Sequence, residues 1–224
     1  MLFDMDGTLL DSEPLWLVAE TQTTQFMGCT WGQEDQEHCL GGPVSRVVEH
    51  IRSKLDPGSW AEFSSDWVEE YLLSKVIEQY NAERIPWLPG ARELVLSARS
   101  ADLPLALVTN SPRAVVTGAH VGVIDDLGYD PFDALVVGDE VGDPKPHPQP
   151  FVTAAELLGS DPRHCLAVED STTGLRAAIA AGCQVIALGH HLLLDEFADV
   201  GRIGSLVGQD FASLWELATQ KQAS

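Results

Sequence analysis

Residues 2–8 read LFDMDGT, which places two carboxylates and a glycine directly after a short apolar run. Side chains alternate along a strand, so Asp4 and Asp6 point in one direction while the chain stays extended, and Gly7 permits a sharp turn. Two carboxylates aimed into one site can divide their roles between an ionised nucleophile or metal ligand and a protonated acid. Because surface aspartate pairs before glycine turns are common, this motif alone does not decide the function.

Four more short apolar runs follow along the chain, and each ends before a polar residue or a glycine. Continuous apolar runs of this length are typical of parallel strands buried on both faces. They cover residues 105–108, 134–137, 166–168 and 185–188, and helical patterns lie between them at residues 91–100, 113–121, 150–158 and 175–181. The alternation predicts an α/β fold, a doubly wound parallel sheet with a Rossmann-like core, in which ligands bind at the carboxyl ends of the strands.

One segment, from about Pro14 to residue 85, breaks this alternation because it shows helical spacing and no convincing strand. Prolines mark both of its ends, as is typical of domain boundaries. We therefore expect an inserted α-helical cap domain over residues 14–85. The catalytic core is then discontinuous and consists of residues 1–13 and 86–224.

The first apolar run is short, with two residues between Met1 and Asp4. A central strand usually has about five residues. Either the chain begins upstream of Met1 or this strand is unusually short.

The composition indicates a globular and strongly acidic protein. The chain has 224 residues, with 13 Lys and Arg against 34 Asp and Glu, a formal net charge of −21 and 45% hydrophobic residues. Such a chain lacks the cations that replace counterions on a polyanion, so we exclude nucleic acid as a partner. A small anionic substrate stays open if a divalent metal, one lysine and helix N-termini concentrate positive potential locally.

Neither a membrane partner nor a secretory signal is expected. No apolar run approaches the roughly 18 residues of a membrane helix, and no basic region followed by an apolar stretch opens the chain. The four cysteines show no C-x-x-C pair, which favours buried, reduced thiols in a cytoplasmic protein. They are Cys29, Cys39, Cys165 and Cys183. We expect a monomer or a weak dimer.

Thr109, Asn110 and Ser111 follow the second apolar run. A hydroxyl and an amide at a strand end, just before a helix that starts near Pro112, could bind phosphate oxygens. The alternative is an ordinary helix N-cap, which Ser111 before Pro112 fits well. Taken alone, this motif favours the N-cap.

Lys145 lies in a loop between Pro144 and Pro146. The two prolines restrict the backbone and help to aim the lysine side chain. A fixed ammonium group beside two carboxylates would offset their repulsion and hold a phosphoryl oxygen. The alternative is a solvent-exposed turn.

Glu169 and Asp170 end the fourth apolar run. Adjacent carboxylates there could bind Mg²⁺ directly or through water, or Asp170 or Ser171 could simply cap the next helix. Each motif thus has a structural explanation of its own, but their conjunction does not. An acid pair, a hydroxyl, a lysine and a second acid pair occur at the ends of successive predicted strands, as metal-assisted phosphoryl transfer requires.

Together these motifs resemble the four motifs of the haloacid dehalogenase superfamily, in its helical-cap subgroup. The likeness covers nearly the whole chain, including the helical insertion and the Leu-Pro-Gly at residues 88–90, where the chain returns to the core. The subgroup includes β-phosphoglucomutase, phosphoglycolate phosphatase and sugar-phosphate phosphatases. Residues 4–16 are most similar to hexitol-phosphate and deoxysugar-phosphate phosphatases.

The resemblance implies a hydrolase that forms an aspartyl-phosphate. Asp4 would attack phosphorus, and Asp6 would protonate the leaving alkoxide and then activate water. The cap would close the site by hinging near residues 11–14 and 85–87. The phosphoryl oxygens would be held by Thr109, Asn110 and Lys145, and a Mg²⁺ cofactor by Asp4, the backbone carbonyl of Asp6, Asp170 and, directly or indirectly, Glu169.

Substrate choice is expected to lie in the cap. Trp16 occupies the position at which β-phosphoglucomutase carries a cap histidine, which favours hydrolysis over mutase activity. Trp16 could stack on a sugar face or pack in the core, and Arg46 could pair with a second anionic group or lie at the surface. His147, His190 and His191 show no spacing for a zinc site and are expected to be structural or exposed.

We therefore expect Mg²⁺-dependent hydrolysis of small phosphorylated metabolites, with sugar phosphates as the substrate class. One alternative is a phosphomutase like β-phosphoglucomutase, which a requirement for a bisphosphate would reveal. A second alternative is a non-enzymatic, phospho-accepting regulatory domain. Such receivers also use Asp, Thr, Lys and Mg²⁺, but they are much shorter, have no cap and lack a second acid like Asp6.

Overall fold

Six short strands form one parallel sheet in the computed structural model of the chain, which describes residues 1–82, 85–189 and 195–222. Neighbouring strands follow the order β3-β2-β1-β4-β5-β6, and every pair is parallel. The predicted doubly wound α/β sheet is therefore confirmed. The strands are β1 (Leu2–Phe3), β2 (Ala106–Val108), β3 (Ala134–Val136), β4 (Leu166–Glu169), β5 (Gln184–Leu188) and β6 (Gly201–Ile203).

Helices connect the strands and also form the insertion after β1. Those of the insertion are α1 (Glu13–Phe26), α2 (Gln33–Cys39), α3 (Val44–Ser53) and α4 (Ser65–Ala82). Those of the core are α5 (Ala91–Ser100), α6 (Arg113–Leu127), α7 (Gln149–Leu157), α8 (Thr172–Ala181) and α9 (Phe211–Gln222). Short 3₁₀ turns lie at Pro57–Ala61, Pro162–His164 and Asp195–Phe197.

Both faces of the sheet are covered by hydrophobic side chains, as the two residues of β1 show. Leu2 and Phe3 are fully buried, and they belong to two different hydrophobic clusters because their side chains point to opposite faces. Each pairs with both neighbouring strands, so Leu2 lies between Ala106 and Ala167. A strand of only two residues is thus held from both sides, at the centre of the sheet.

The predicted core elements agree with the structure except at the end of α6 and toward the C-terminus. Helix α6 continues beyond the predicted residue 121 and ends at Gly128, whose φ of 78° is the left-handed conformation that glycine adopts easily. Strand β6 and helix α9 have no counterpart among the predicted elements. They complete one edge of the sheet, where α9 packs on β5 and β6 and buries Leu214 and Ala218.

The predicted helical insertion lies between β1 and α5, and the two chain segments that enter and leave it run side by side. The backbone N–H of Asp11 donates to the oxygen of Pro86 at 2.9 Å, and that of Leu88 donates to the oxygen of Leu9 at 2.8 Å. An antiparallel bridge between Leu10 and Trp87 lies between these bonds. The segments that enter and leave the insertion therefore lie side by side at one place, as a hinge requires.

The exact division into a cap of residues 14–85 and a core of residues 1–13 and 86–224 stays a prediction. In the described part of the chain, no helix combines the length and the apolarity needed to cross a membrane. All four cysteines are free thiols, and Cys29 is the one that is not fully buried. His147 is exposed, whereas His190 and His191 lie outside the described residues.

The strand order decides where a site can form. Strands β2 and β3 lie on one side of β1, and strands β4, β5 and β6 lie on its other side. The order of the strands in the sheet therefore reverses at β1. Ligands of such sheets bind beside this reversal, at the carboxyl ends of the strands. Asp4 directly follows β1, Thr109 follows β2, and Asp170 follows β4.

Candidate active site

Lys145 lies at the centre of the site, where its ammonium group makes three hydrogen bonds. Nζ donates to Oδ1 of Asp4 at 2.7 Å, to Oε1 of Glu169 at 2.5 Å and to the backbone oxygen of Val108 at 2.7 Å. The ring of Phe151 lies 5.0 Å from Nζ. The lysine side chain is 1% exposed, so the alternative of a solvent-exposed turn is wrong for this residue.

Three buried carboxylates meet beside Lys145. Asp4, Glu169 and Asp170 each offer an oxygen, and these oxygens lie within 4.8 Å of one another. The hydroxyl of Thr8 donates to Oδ1 of Asp170 at 3.0 Å. Glu169 uses its second oxygen to accept from the backbone N–H and the hydroxyl of Ser171, at 3.1 and 3.0 Å. Both oxygens of Glu169 are therefore engaged within the protein.

The charges of this cluster are unbalanced. Burial, followed by repulsion from Glu169, raises the pKa of Asp4 to about 8, although Lys145 acts in the opposite direction. Burial and then the charges of Asp4 and Glu169 raise the pKa of Asp170 well above its ordinary value. Burial alone would lower the pKa of Lys145, but Asp4 and Glu169 raise it, so the lysine stays charged. One ammonium group cannot balance three carboxylates.

The donor set fits a hard divalent cation. Mg²⁺ prefers carboxylate, carbonyl and water oxygens, and the cluster supplies carboxylate oxygens and a charge excess that such an ion would remove. Among these acids, Asp4 and Asp170 are the better candidates for direct ligands, because Lys145 and Ser171 occupy the oxygens of Glu169. The assignment of Mg²⁺ to these residues, and to the backbone carbonyl of Asp6, stays a prediction.

Asp6 lies at the junction of cap and core and accepts hydrogen bonds from both. Its Oδ1 accepts from the hydroxyls of Ser12 at 2.5 Å and Tyr80 at 2.7 Å, and its Oδ2 accepts from Ser111 at 2.7 Å. The Thr109 hydroxyl lies at 3.5 Å from Oδ2. The N-cap residue of α6 is Pro112, so the alternative that Ser111 caps this helix is wrong.

Tyr80 connects Asp6 to the cap interior. Burial, reinforced by the charge of Asp6, raises the pKa of the Tyr80 phenol well above its ordinary value, so the phenol stays protonated and donates to Asp6. The indole Nε1 of Trp16 donates to the Tyr80 oxygen at 3.1 Å. Trp16 packs against the hydrophobic core and also lines the cavity above the carboxylates. The position of Trp16 is compatible with both predicted roles, core packing and contact with a substrate.

Asn110 fixes the loop that carries Lys145. Its amide oxygen accepts from the backbone N–H of Lys145 at 2.9 Å, and its amide nitrogen donates to the backbone oxygen of Lys145 at 3.1 Å. The same nitrogen lies 3.3 Å from the backbone oxygen of Gly41, in the cap. The predicted phosphate contact of Asn110 stays a prediction, and the structure adds a positioning role.

Ser171 and Arg46 complete the contact between cap and core. The Ser171 hydroxyl accepts from the Gly174 N–H at 3.0 Å and so caps α8, as the structural explanation of this motif predicts. Arg46 is half-buried and donates to the Thr173 hydroxyl at 3.3 Å. A Cβ atom on Gly41 would approach the Ser171 Cβ to 2.2 Å, which shows how closely the cap lies on the core.

Two glycines make room for the acids. Gly7, at a φ of 76°, would place a Cβ atom 2.2 Å from Oδ2 of Asp170. Gly174 would place one 1.7 Å from Oε1 of Glu169. The carboxylates can therefore approach these two backbone segments only because neither residue has a side chain.

One cavity joins the cap to this cluster, and core and cap residues line it together. From the core come Asp4, Asp6, Thr109, Asn110, Ser111, Lys145, Asp170 and Ser171. From the insertion come Glu13, Trp16, Glu20, Gln36, Cys39, Leu40, Gly41, Gly42, Val44 and Val47. Of the predicted site residues, Glu169 and Arg46 are absent from this lining among the described residues. Buried acids, a lysine and hydroxyls beneath a partly open cavity can support displacement at phosphorus.

Residues 1–188 match the haloacid dehalogenase-like hydrolases. The chain belongs to this family. Hexitol phosphatase B of Escherichia coli (strain K12) is 35% identical over 181 residues, which are 80% of this chain and 78% of that protein. Protein CbbY of Rhodobacter capsulatus is 33% identical over 190 residues, 83% of each. The predicted family and the prediction of an enzyme are confirmed.

A solved structure shows the same fold. The crystal structure of β-phosphoglucomutase from Clostridium difficile matches this structure with a TM-score of 0.82 at 21% sequence identity. The match covers 100% of this chain and 98% of that one, so it includes the helical insertion as well as the sheet. The predicted fold class with its cap is therefore confirmed, whereas the roles of individual site residues stay predictions.

We predict that Gly174→Ala disrupts the site while a matched glycine substitution does not. The new methyl group would displace Glu169 and with it Lys145, so we expect a loss of about 1–3 kcal/mol in the free energy of unfolding, as overpacking costs, together with reduced activity. Chemical denaturation measures the first effect.

The control is Gly122→Ala in α6, where a Cβ atom meets nothing within 4 Å. Alanine there should be neutral or stabilise by about 0.5–1 kcal/mol. Equal effects of the two substitutions would show that the approach of Glu169 to Gly174 is not a constraint on the site.

Proposed function

We propose that the protein is a Mg²⁺-dependent phosphatase of small phosphate monoesters, with sugar phosphates as its substrate class. The observation that supports this most directly is the contact of Asp4 with Lys145, at 2.7 Å, inside a cluster that also holds Asp170. A buried carboxylate fixed by a buried cation, below a cavity, is the arrangement expected of a nucleophile toward phosphorus. Solvent-exposed acid pairs would not have this geometry.

In the proposed reaction, a carboxylate oxygen of Asp4 attacks phosphorus, and the bond from phosphorus to the leaving oxygen breaks. Asp6 gives its proton to the leaving alkoxide, which departs as an alcohol. Water then attacks the aspartyl-phosphate, and Asp6 accepts the proton of that water. Inorganic phosphate leaves, and both carboxyl groups return to their starting states.

Lys145 has two tasks in this reaction. Its bond to Oδ1 fixes the plane of the Asp4 carboxylate, and its charge lowers the repulsion between that carboxylate and an anionic phosphoryl group. A bound Mg²⁺, held by Asp4 and Asp170, would supply further positive charge to the site. Thr109 and Asn110, at the end of β2, are proposed to contact the phosphoryl oxygens from the other side.

The hydroxyl groups around Asp6 suit a residue that alternates between acid and base. Ser12, Tyr80 and Ser111 hold both of its oxygens, so the carboxyl group keeps one orientation in either protonation state. A hydroxyl can rotate to donate to a carboxylate or to accept from a carboxylic acid. Water exclusion by the cap would prevent competing reactions of the intermediate.

The comparisons favour hydrolysis of a sugar phosphate. Hexitol phosphatase B is a phosphatase by name and shares 35% of its residues with this chain over the aligned length. Trp16, where β-phosphoglucomutase is expected to carry a histidine, speaks against the mutase alternative. The alternative of a non-enzymatic receiver is not supported, because residues 1–188 match a hydrolase family.

We predict that Asp4→Asn abolishes phosphate release and leaves the fold intact. The amide is a poor nucleophile, so turnover of a hexitol phosphate should fall to background in a phosphate-release assay. Circular dichroism should show an unchanged spectrum. Retained turnover by this variant would remove Asp4 from the role of nucleophile.

We also predict that Mg²⁺ stabilises the protein through Asp170. At a concentration of about 100 times Kd, binding adds about 2.7 kcal/mol, which corresponds to a rise of about 5–10 °C in Tm for a chain of this size. Asp170→Asn should lose most of this rise. Asp125→Asn, at an exposed position of α6, is the control and should keep it. A rise of equal size in both variants would place the ion elsewhere.

A further inference from the structure

The two carboxyl oxygens of Asp6 have different surroundings. Oδ2 lies beside the hydroxyls of Ser111 and Thr109, at 2.7 and 3.5 Å, and both of these residues line the cavity above the carboxylates. Oδ1 accepts from Ser12 and Tyr80, at 2.5 and 2.7 Å, and neither belongs to the described lining of that cavity. Oδ2 is therefore the oxygen on the side of the substrate, whereas Oδ1 faces the hinge and the cap.

The hydrogen of the Tyr80 hydroxyl has a fixed direction, because Trp16 occupies the other side of the phenol oxygen. The Trp16 indole Nε1 donates to this oxygen at 3.1 Å. An indole N–H can only donate, so the phenol accepts from it and directs its own hydrogen to Oδ1 of Asp6. Tyr80 is 6% exposed, which leaves solvent little access to these bonds. Oδ1 thus receives a hydrogen bond from Tyr80 in either protonation state of Asp6.

The Ser111 hydroxyl is not directed in this way. It donates to Oδ2 of the Asp6 carboxylate, and it can turn to accept a hydrogen bond when Oδ2 carries a proton. A proton on Oδ1 would instead point at the hydrogen of Tyr80, and one of the two groups would lose its hydrogen bond. The neutral form of Asp6 therefore holds its proton on Oδ2.

The contacts from Trp16 through Tyr80 to Asp6 connect the cap to the core beside the hinge. Tyr80 lies near the end of α4, and it lines a small second cavity together with Leu10 and Trp87, the two residues of the antiparallel bridge. Trp16 lines the cavity above the carboxylates. A leaving group in that cavity can therefore contact the same indole that directs Tyr80.

We propose that Tyr80 and Trp16 are positioning residues, which hold the Asp6 carboxyl group with Oδ2 toward the leaving oxygen of the substrate. This inference rests on the proposed function, in which Asp6 is the acid. When the bond from phosphorus to the leaving oxygen breaks, its electron pair stays on that oxygen. The Oδ2 proton moves to it, so that an alcohol departs and Asp6 becomes a carboxylate. Without Tyr80, the carboxyl group can rotate, and Oδ2 loses its alignment with the leaving oxygen.

The test compares two esters that differ in their need for an acid. A hexitol phosphate releases an alkoxide, which requires a proton, whereas p-nitrophenyl phosphate releases a stable phenolate, which does not. The parameter is kcat/KM, because it does not include the later attack of water on the aspartyl-phosphate. In Tyr80→Phe, we expect the ratio of kcat/KM for the hexitol phosphate to that for p-nitrophenyl phosphate to fall at least about tenfold, since a positioned acid contributes about 10²–10⁴-fold.

Tyr71→Phe is the matched control. Tyr71 lies on the same helix, α4, where its half-buried ring stacks on Trp67, and the loss of its hydroxyl should leave the ratio unchanged. Trp16→Phe is the second test variant, because it keeps an aromatic ring beside the cavity and removes only the N–H that directs Tyr80. The Tyr80 hydroxyl can then turn away from Oδ1, so the ratio should fall in this variant as well.

Two results would overturn the inference. One is an unchanged ratio in Tyr80→Phe, and the other is an equal loss of kcat/KM on both esters, which a purely structural role predicts. An unchanged ratio in Trp16→Phe alone would overturn the role of Trp16. If thermal unfolding shows that Tyr80→Phe does not fold, Trp16→Phe decides the inference by the same criteria.

The proposed function can fail separately. If the wild-type protein does not hydrolyse the hexitol phosphate, the proposed substrate class is wrong, and if it hydrolyses neither ester, so is the proposed activity. Whenever one of the two rates is missing, a crystal structure of Tyr80→Phe decides the inference instead. A rotated or a second orientation of the Asp6 carboxyl group in this variant, but not in Tyr71→Phe, would support it. The wild-type orientation in both variants would overturn it.

Discussion

The ammonium group of Lys145, buried between Asp4 and Glu169, is the interaction on which the site depends. Carboxylates that meet away from water repel one another, and burial removes the solvent that would screen them. The lysine offsets part of this repulsion, and Asn110 holds the lysine backbone in place through two hydrogen bonds. Loss of Lys145 would leave the buried carboxylates without this cation, and breaking a buried ion pair in this way typically costs about 3–5 kcal/mol. Stability and reactivity of this site therefore rest on the same contact.

The second constraint is the dependence of Asp6 on the position of the cap. Ser111 reaches its carboxyl group from the core, whereas Tyr80 reaches it from α4 in the cap. Ser12 reaches it from the hinge. A movement of the cap away from the core would remove the Tyr80 bond and leave those from the core and the hinge. An opening of the cap would therefore change the hydrogen bonding of the proposed acid, and cap closure would be linked to the proposed proton transfer through this one carboxyl group.

The sequence was sufficient to predict those site residues that directly follow a strand. The parallel order of the sheet brings Asp4, Thr109 and Asp170 to one edge, so the apolar runs were sufficient for these residues. Lys145 reaches the same edge from a loop that Asn110 holds. Sequence reasoning missed Tyr80, because contacts made across the cap depend on how helices pack, which helical spacing alone does not specify. It also assigned Ser111 to a cap that Pro112 provides. Helix α9 was detectable: Phe211, Leu214, Trp215 and Ala218 repeat at helical spacing behind Asp210, whose carboxylate accepts from the Ser213 N–H.

Charge asymmetry within the cavity bears on the choice between hydrolysis and phosphoryl exchange. A mutase that works through a bisphosphate must accept that ligand in two orientations, so each end of its cavity has to stabilise a phosphate. Here the described lining has one cation, Lys145, at the core end, whereas Arg46 of the cap packs beside Gly42 and donates to Thr173. This uneven placement of positive charge favours the proposed hydrolysis over retention of a bisphosphate.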